Sequence, residues 1–317
     1  MRVTNSMMFN SGTQGMLDRQ ADLFKVQNQL STGRRILSPQ DDPIGSAEAL
    51  KLSQSKAVNT QYLTNQATAQ TSLGTLDTTL GTLGDALTRI AEISAGADTQ
   101  SAEKRDFLAV EMKGILQNII GLANTQDGTG LYIFGGYHSE SQPFSLNSAA
   151  TQPYSLGPQT YVSYSGDAGQ QVVQVTASKD MNVNENGLDV FMKVEDASGS
   201  VIGRSMFDSI QNMIDQLDSS SGVPYSKASY DQAFSDIKNA ITHVVTVRAS
   251  VGARMNSLDS LTAAGKDVNF NYDTRLSEIQ DLDYTEAISR FSNYQTQLQA
   301  AQLSFKQINQ LSLFNIL

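Results

Sequence analysis

YTEAISRFSNYQTQLQAAQLSFKQI, residues 284–308, decides how the rest of the chain is read. Its large and small apolar side chains fall at Tyr284, Ala287, Phe291, Tyr294, Leu298, Ala301, Phe305 and Ile308. The gaps alternate between three and four, which is the seam of a coiled coil or helical bundle. From Phe291 to the end at Leu317 the only charged side chain is Lys306. A helix that is polar but uncharged, with one apolar seam, belongs among other helices rather than in water. The opposite end of the chain matches it. Phe9, Met16, Leu23, Leu30 and Leu37 stand at every seventh position. Two such tails predict a subunit that assembles. The tail residues expected to carry that assembly are Phe9, Met16, Leu23, Leu30, Leu37, Phe291, Tyr294, Leu298, Phe305 and Ile308.

Working inward, Ser38-Pro39-Gln40-Asp41-Asp42-Pro43 breaks the first helix near Leu37, because proline pushes the residue before it out of the helical region. Asp42 reads as an N-cap and Pro43 as the first helical residue. A long helix over 44–95 follows, with the seam Leu73, Leu76, Leu80, Leu83, Leu87 and Ile90. Gly74, Gly81 and Gly84 each weaken it by ~1 kcal/mol relative to alanine, so packing must hold it. A third helix is predicted over 101–124, with Leu108, Met112, Ile115, Ile119 and Leu122 on one face. The period then shortens. Leu131–Phe134, Tyr161–Tyr164, Val172–Val175 and Gly187–Phe191 read as strands between turn signals. Helix returns over 206–217, and again over 230–261 with the seam Tyr230, Phe234, Ile237, Ile241, Val244, Val251, Met255 and Leu258. Residues 263–272 read as a linker, and a last helix is expected over 276–316.

The predicted fold class is therefore mainly α with a β-rich insertion, an elongated rod in which the terminal helices pair. Three parts are expected: 1–42 with 273–317 as a terminal assembly domain, 43–130 with 206–272 as a central helical bundle, and 131–205 as a small outer β domain. The tails have too few large apolar side chains to offset the entropy of ordering helices so long. They are expected to order only on assembly.

Composition narrows the function. The 317 residues carry a net charge of −10, and only 17% are charged. That argues against nucleic acid and acidic membrane surfaces as partners. There is no cysteine, hence no disulfide framework and no thiolate chemistry. The start has no apolar h-region or cleavage pattern, so no secretory signal is expected. No run of ~18 apolar residues is present to span a bilayer.

Catalysis has little support. His138 follows a glycine turn and His243 lies inside a helix, and no motif sets a nucleophile or carboxylate beside either. Gly128-Thr129-Gly130 has a helix before it and a strand after it, the reverse of a phosphate loop. Asp41 and Asp42 read as turn and cap rather than metal ligands. Glu278, Asp281, Asp283 and Glu286 favour a helix N-terminal region or mark a hinge. Arg248 interrupts its seam and is expected to snorkel to solvent, with an interhelical ion pair as the alternative. No enzyme, cofactor or metal is predicted.

Leu30-Ser31-Thr32-Gly33-Arg34-Arg35-Ile36-Leu37-Ser38-Pro39-Gln40-Asp41-Asp42-Pro43 closely resembles the N-terminal signature of bacterial flagellins and their relatives. The 287–317 stretch resembles the matching end. Met7-Met8, the segment 127–137 (DGTGLYIFGGY), Leu311-Ser312-Leu313-Phe314 and the segment 244–252 (VVTVRASVG) look like the hook–filament junction members of that superfamily rather than flagellin itself. The resemblance is weakest over 140–205. It implies a flagellin-like structural subunit, outside the cell, at the hook–filament junction. The expected partners are other copies of the chain in a ring, the first hook-associated protein, flagellin, an export chaperone and the flagellar type III export apparatus. A short flagellin is the nearest alternative. A secreted binding module using the Tyr161–Tyr164 aromatics is a third.

Overall fold

Gly33 ends the first helix, and it does so earlier than the heptad spacing predicts. In the computed structural model, which describes residues 5–196 and 198–314, α1 spans Asn5–Thr32. Gly33 has φ +68° and its N–H donates to the Gln29 carbonyl (2.9 Å), a left-handed helix stop that glycine adopts without a Cβ penalty. Leu37 thus leaves the helical seam and sits exposed in the following turn.

The middle of the chain follows the apolar periodicity closely. α2 spans Pro43–Ser94, α3 spans Ala102–Ala123 and α4 spans Met206–Leu217. Asp42 Oδ1 accepts from the Gly45 N–H at 2.8 Å, as its capping position requires. Ser205 and Asp208 close a capping box at the head of α4. α5 spans Lys227–Gln280 and α6 spans Tyr284–Phe314. The linker expected at 263–272 is instead continuous helix. That segment has no proline, and its one glycine, Gly265, is buried. Asn269 beyond it accepts from Asn59 Nδ2 (2.8 Å), and Asp273 pairs with Lys56. The real break is Asp281-Leu282-Asp283, and α6 starts at Tyr284 rather than at 276.

Strand content is smaller than expected. β1 (Phe144–Leu146) pairs antiparallel with β2 (Val162–Tyr164), and β3 (Val172–Thr176) with β4 (Lys179–Asn182). Phe144 faces Tyr164 and Val173 faces Met181 in the two registers. Leu131–Phe134 is not a strand; it makes a single bridge, Tyr132 to Gln126. Leu188–Met192 is a π-helical turn. Both apolar runs are short enough to suit either structure, and burial of Phe134 and Phe191 explains their composition.

The chain divides into two compact units: residues up to Thr60 with those from Lys266, and Gln61–Gly265. The middle unit has one continuous core. The α2 seam Leu73–Ile90 is fully buried in it, with Met112, Leu116 and Ile119 of α3 and Ile237, Val244, Val251 and Leu258 of α5. The same core includes the β-rich segment. Phe134, Phe144, Phe191 and Phe207 form an aromatic cluster with ring centroids 5.0–5.5 Å apart. Gln66 Nε2 of α2 donates to the Val175 carbonyl of β3 (2.7 Å). Asp208, fully buried, is satisfied by the Tyr161 N–H at 2.7 Å and the Thr160 hydroxyl at 3.2 Å.

Candidate assembly interface

The terminal unit brings the two predicted tails together. α1 and α6 run antiparallel: Phe9 meets Phe305 at one end (centroids 5.1 Å), and Gly33 meets Tyr284 at the other. A Cβ on Gly12 would come within 3.0 Å of the Phe305 ring, so that glycine lets the ring lie against the α1 backbone. Met16, Leu23, Leu30, Phe291, Tyr294, Leu298 and Phe305 are all half-buried, while Phe9 stays largely exposed at the open end. The side chain of Ile308 lies outside the described residues. Among the described residues of this pair, full burial is confined to Val26, Gln29 and Ala287; Ala287 belongs to the predicted seam, whereas Val26 and Gln29 were not singled out by the heptad spacing.

The closed end is a corner of hydrogen bonds between distant segments. The Arg35 N–H donates to the Gln280 carbonyl (2.7 Å), and the Leu282 N–H to the Gly33 carbonyl (3.0 Å). Arg35 Nη2 donates to the Ile279 carbonyl (2.7 Å) and to Asp42 Oδ2 (3.2 Å). Asp41 Oδ2 accepts from the Leu37 and Ser38 N–H groups (3.0 Å each), and Lys25 Nζ sits 2.7 Å from its other oxygen. The Lys25 ammonium, aided by those N–H groups, holds the Asp41 carboxyl below its usual range. The Gly45 N–H and then Arg35 do the same for Asp42. Both aspartates are therefore turn and cap residues. Asp283 Oδ1 caps α6 through the Thr285 N–H (2.8 Å), so Asp283 and Glu286 of the acidic group stand at a helix start. A Cβ at Gly45 would meet Asp42 Oδ2 at 2.5 Å. The corner needs that glycine, and its spacing to Asp42 was the only available signal.

What the pair leaves outside is as informative as what it buries. Leu17 and Phe24 on α1 are 55% and 56% exposed; Ile288 and Leu303 on α6 are 58% and 64% exposed. These residues form a second apolar set, off the seam the spacing identified, and the chain's own helices do not cover it.

Two matches now bear on this geometry. The bacterial flagellin N-terminal helical region matches residues 3–139, and the flagellin C-terminal helical region matches residues 234–317. The chain is also 32% identical to flagellar hook-associated protein 3 of Escherichia coli (strain K12), covering 100% of this chain and 99% of that protein. The chain belongs to the bacterial flagellin family. It is 29% identical over its whole length to flagellar hook-associated protein 3 of Salmonella typhimurium (strain LT2), again covering 99% of that protein. The crystal structure of flagellar hook-associated protein 3 from Legionella pneumophila aligns with a TM-score of 0.62, at 20% identity, over 72% of this chain and 98% of that one. At that identity it speaks for the flagellin-like fold.

The remaining candidates for chemistry all lie in the middle unit. His243 Nε2 lies 2.8 Å from the Asp189 carbonyl. His138 is exposed, with Nδ1 3.7 Å from Asp167. Asp127 Oδ1 accepts from the Thr129 and Leu131 N–H groups (2.8 and 3.0 Å), closing the Gly128-Thr129-Gly130 turn. The Tyr164 hydroxyl lies 2.8 Å from the Asp167 carbonyl and 3.0 Å from the Phe134 carbonyl, which share its one proton, and burial pushes its pKa up to about 12. Arg248 reaches solvent, as the snorkelling expectation has it, and also makes the interhelical ion pair given as the alternative. Its Nε and Nη2 meet Asp77 Oδ1 and Oδ2 at 2.8 and 3.3 Å. The guanidinium lies over Gly81, where a Cβ would make ordinary contact with it at 3.4 Å. Among the described residues no cluster of three or more histidine, cysteine or carboxylate side chains could hold a metal ion.

Proposed function

We propose that this chain is a structural subunit of the flagellum that joins the hook-side hook-associated protein to the flagellin filament. The observation that carries this reading is end-to-end similarity to two proteins named flagellar hook-associated protein 3. The terminal unit supports it physically. A two-helix hairpin with a half-buried seam and a second, uncovered apolar set gains most by packing against further helices. In this reading α1 and α6 order fully only in the assembly, against neighbouring copies and against the two flanking proteins. The corner at Gly33–Asp42 and Ile279–Asp283 ties the pair to the start of α2 and the end of α5 within the terminal unit. Partners before assembly are an export chaperone and the flagellar export apparatus. The role is mechanical, with no catalytic step.

The test is complementation of a strain lacking its junction protein, scored by motility and attached filaments. Full-length chain restores both, and a chain truncated before Leu276 restores neither. A short flagellin is the competing reading, because both matched regions are flagellin regions. Long filaments grown by the purified chain on seeds, without any restored junction, would favour it.

A further inference from the structure

The outward face of α2 is unlike a solvated helix face. From Ala57 to Leu76 there is no charged side chain, and on to Gly84 the only one is Asp77, which Arg248 holds. Thr68, Thr71, Thr75, Thr78 and Thr82 recur at gaps of three and four on the side opposite the Leu73–Ile90 seam. All are exposed or half-exposed. Each hydroxyl donates to the carbonyl four residues earlier, at 3.2, 3.1, 3.2, 2.9 and 3.1 Å respectively. A threonine bonded back to its own helix offers its γ-methyl outward and leaves no donor stranded when the face is covered. The face is therefore satisfied in advance of burial.

A second helix of the same unit carries the matching feature. Phe107 and Val110 of α3, about one turn apart, are 76% and 67% exposed. Gly114, Gln117, Asn118 and Gly121 continue that face without charge and are exposed as well.

We propose that the threonine face of α2 receives the Phe107–Val110 face of α3 from a second copy of the chain. The inference rests on the reading of the chain as a flagellar structural subunit, in which copies stand side by side. The methyls give a flat apolar bed and the two large side chains supply the knobs. The charges that flank the α3 face, Glu111 and Lys113, already pair with Arg89 and Asp218, so covering the two large side chains strands no lone charge there. Because two different patches meet, the contact is heterologous: every copy binds one neighbour on each side, and the array extends instead of stopping at a dimer. The contact also sets a step. Arg89 Nη2 and Glu111 Oε1 are 2.6 Å apart, which puts Phe107 about level with Ile93. Val110 is then about level with Ile90, and Thr78, which the contact places opposite it, lies roughly 18 Å away along α2 at 1.5 Å per residue. Copies aligned in parallel are displaced along the helix axis by about that distance.

The absence of cysteine makes the test direct. Thr78→Cys and Val110→Cys are introduced singly and together, and flagella isolated from the complemented strain are oxidised. The double variant is expected to give a ladder of dimers, trimers and larger species, and the single variants are not. Intact filaments without a ladder, or equal cross-linking by the single variants, overturn the contact. Thr71→Lys with Thr78→Lys is expected to abolish attached filaments while the purified chain melts as wild type. Thr71→Val with Thr78→Val is expected to keep them. Filaments that survive the lysines, or fail with the valines, also overturn it. If wild-type chain leaves cells without filaments, the junction reading fails by itself. The cysteine ladder is then read on polymers of the purified chain, where it still decides the contact.

Discussion

The middle and terminal units are built from the same kind of helix and differ in how far their seams are buried. In the middle unit, Leu73, Leu80, Leu83, Leu87 and Ile90 of one helix are fully buried, and four phenylalanines fill the space beyond. In the terminal unit the seam residues of α1 and α6 reach only half-burial, and comparable apolar side chains point outward. A three- or four-sided core completes itself, whereas a pair of helices has one buried line between two open sides. The lesson is that an apolar stripe identifies a contact, while the number of helices around it decides whether the chain alone can satisfy it.

Hydrogen exchange puts the largest expected effect on that contrast. In the free chain, amides of Leu73–Ile90 are expected to exchange at least about a thousandfold more slowly than those of 284–308, since local opening draws on buried contact. Equal protection in both would erase the distinction. Next comes truncation. Phe207→Ala should cost ~3–5 kcal/mol in denaturant unfolding of the free chain. Leu298→Ala should cost no more than ~1 kcal/mol there, yet prevent filament attachment. A comparable loss at both sites would mean the terminal pair is as complete as the core.

Acid tests the middle unit's edge. The Lys113 ammonium and the Ser220 hydroxyl hold Asp218 down at about 2, below its unfolded value of ~4. The carboxylate therefore stabilises the fold above roughly pH 4, and that contribution is lost as pH falls through 2. Asp218→Asn should lower the melting midpoint at pH 7 and coincide with wild type below pH ~2. The Arg248–Asp77 pair is half-exposed, so Arg248→Ala should cost only about 0.2–1 kcal/mol, and a double-mutant cycle with Asp77→Ala should return most of it. The smallest effect is a gain. A Cβ on Gly74 would meet nothing within 4 Å, so Gly74→Ala should stabilise α2 by up to ~1 kcal/mol.

The long seams made α2, α3 and α4 legible to within a residue or so, because periodicity and breakers such as Pro43 agree there. Where a single residue overrides a pattern, spacing misleads. Leu37 keeps the heptad, yet Gly33 has already turned the chain. At 263–272, small polar residues look like a linker, but without proline nothing breaks the helix, and contacts such as Asn59–Asn269 hold it. The short apolar runs ending at Phe134 and Phe191 owe their composition to one aromatic cluster rather than to a sheet. That the two terminal helices would each carry an apolar seam was legible in the spacing. That Phe9 and Phe305 would meet each other, leaving Leu17, Phe24, Ile288 and Leu303 outside, needed the geometry of two particular helices.

The corner between Arg35 and Ile279 joins residues 244 positions apart. Almost the whole chain must therefore be present before this corner can close. A fragment that stops short of α5's end leaves Arg35 without its carbonyls and Gly33 without its N–H donor. Closure of the corner thus distinguishes a finished subunit from an unfinished one, a completeness check made by hydrogen bonds at the place where the two ends of the chain meet.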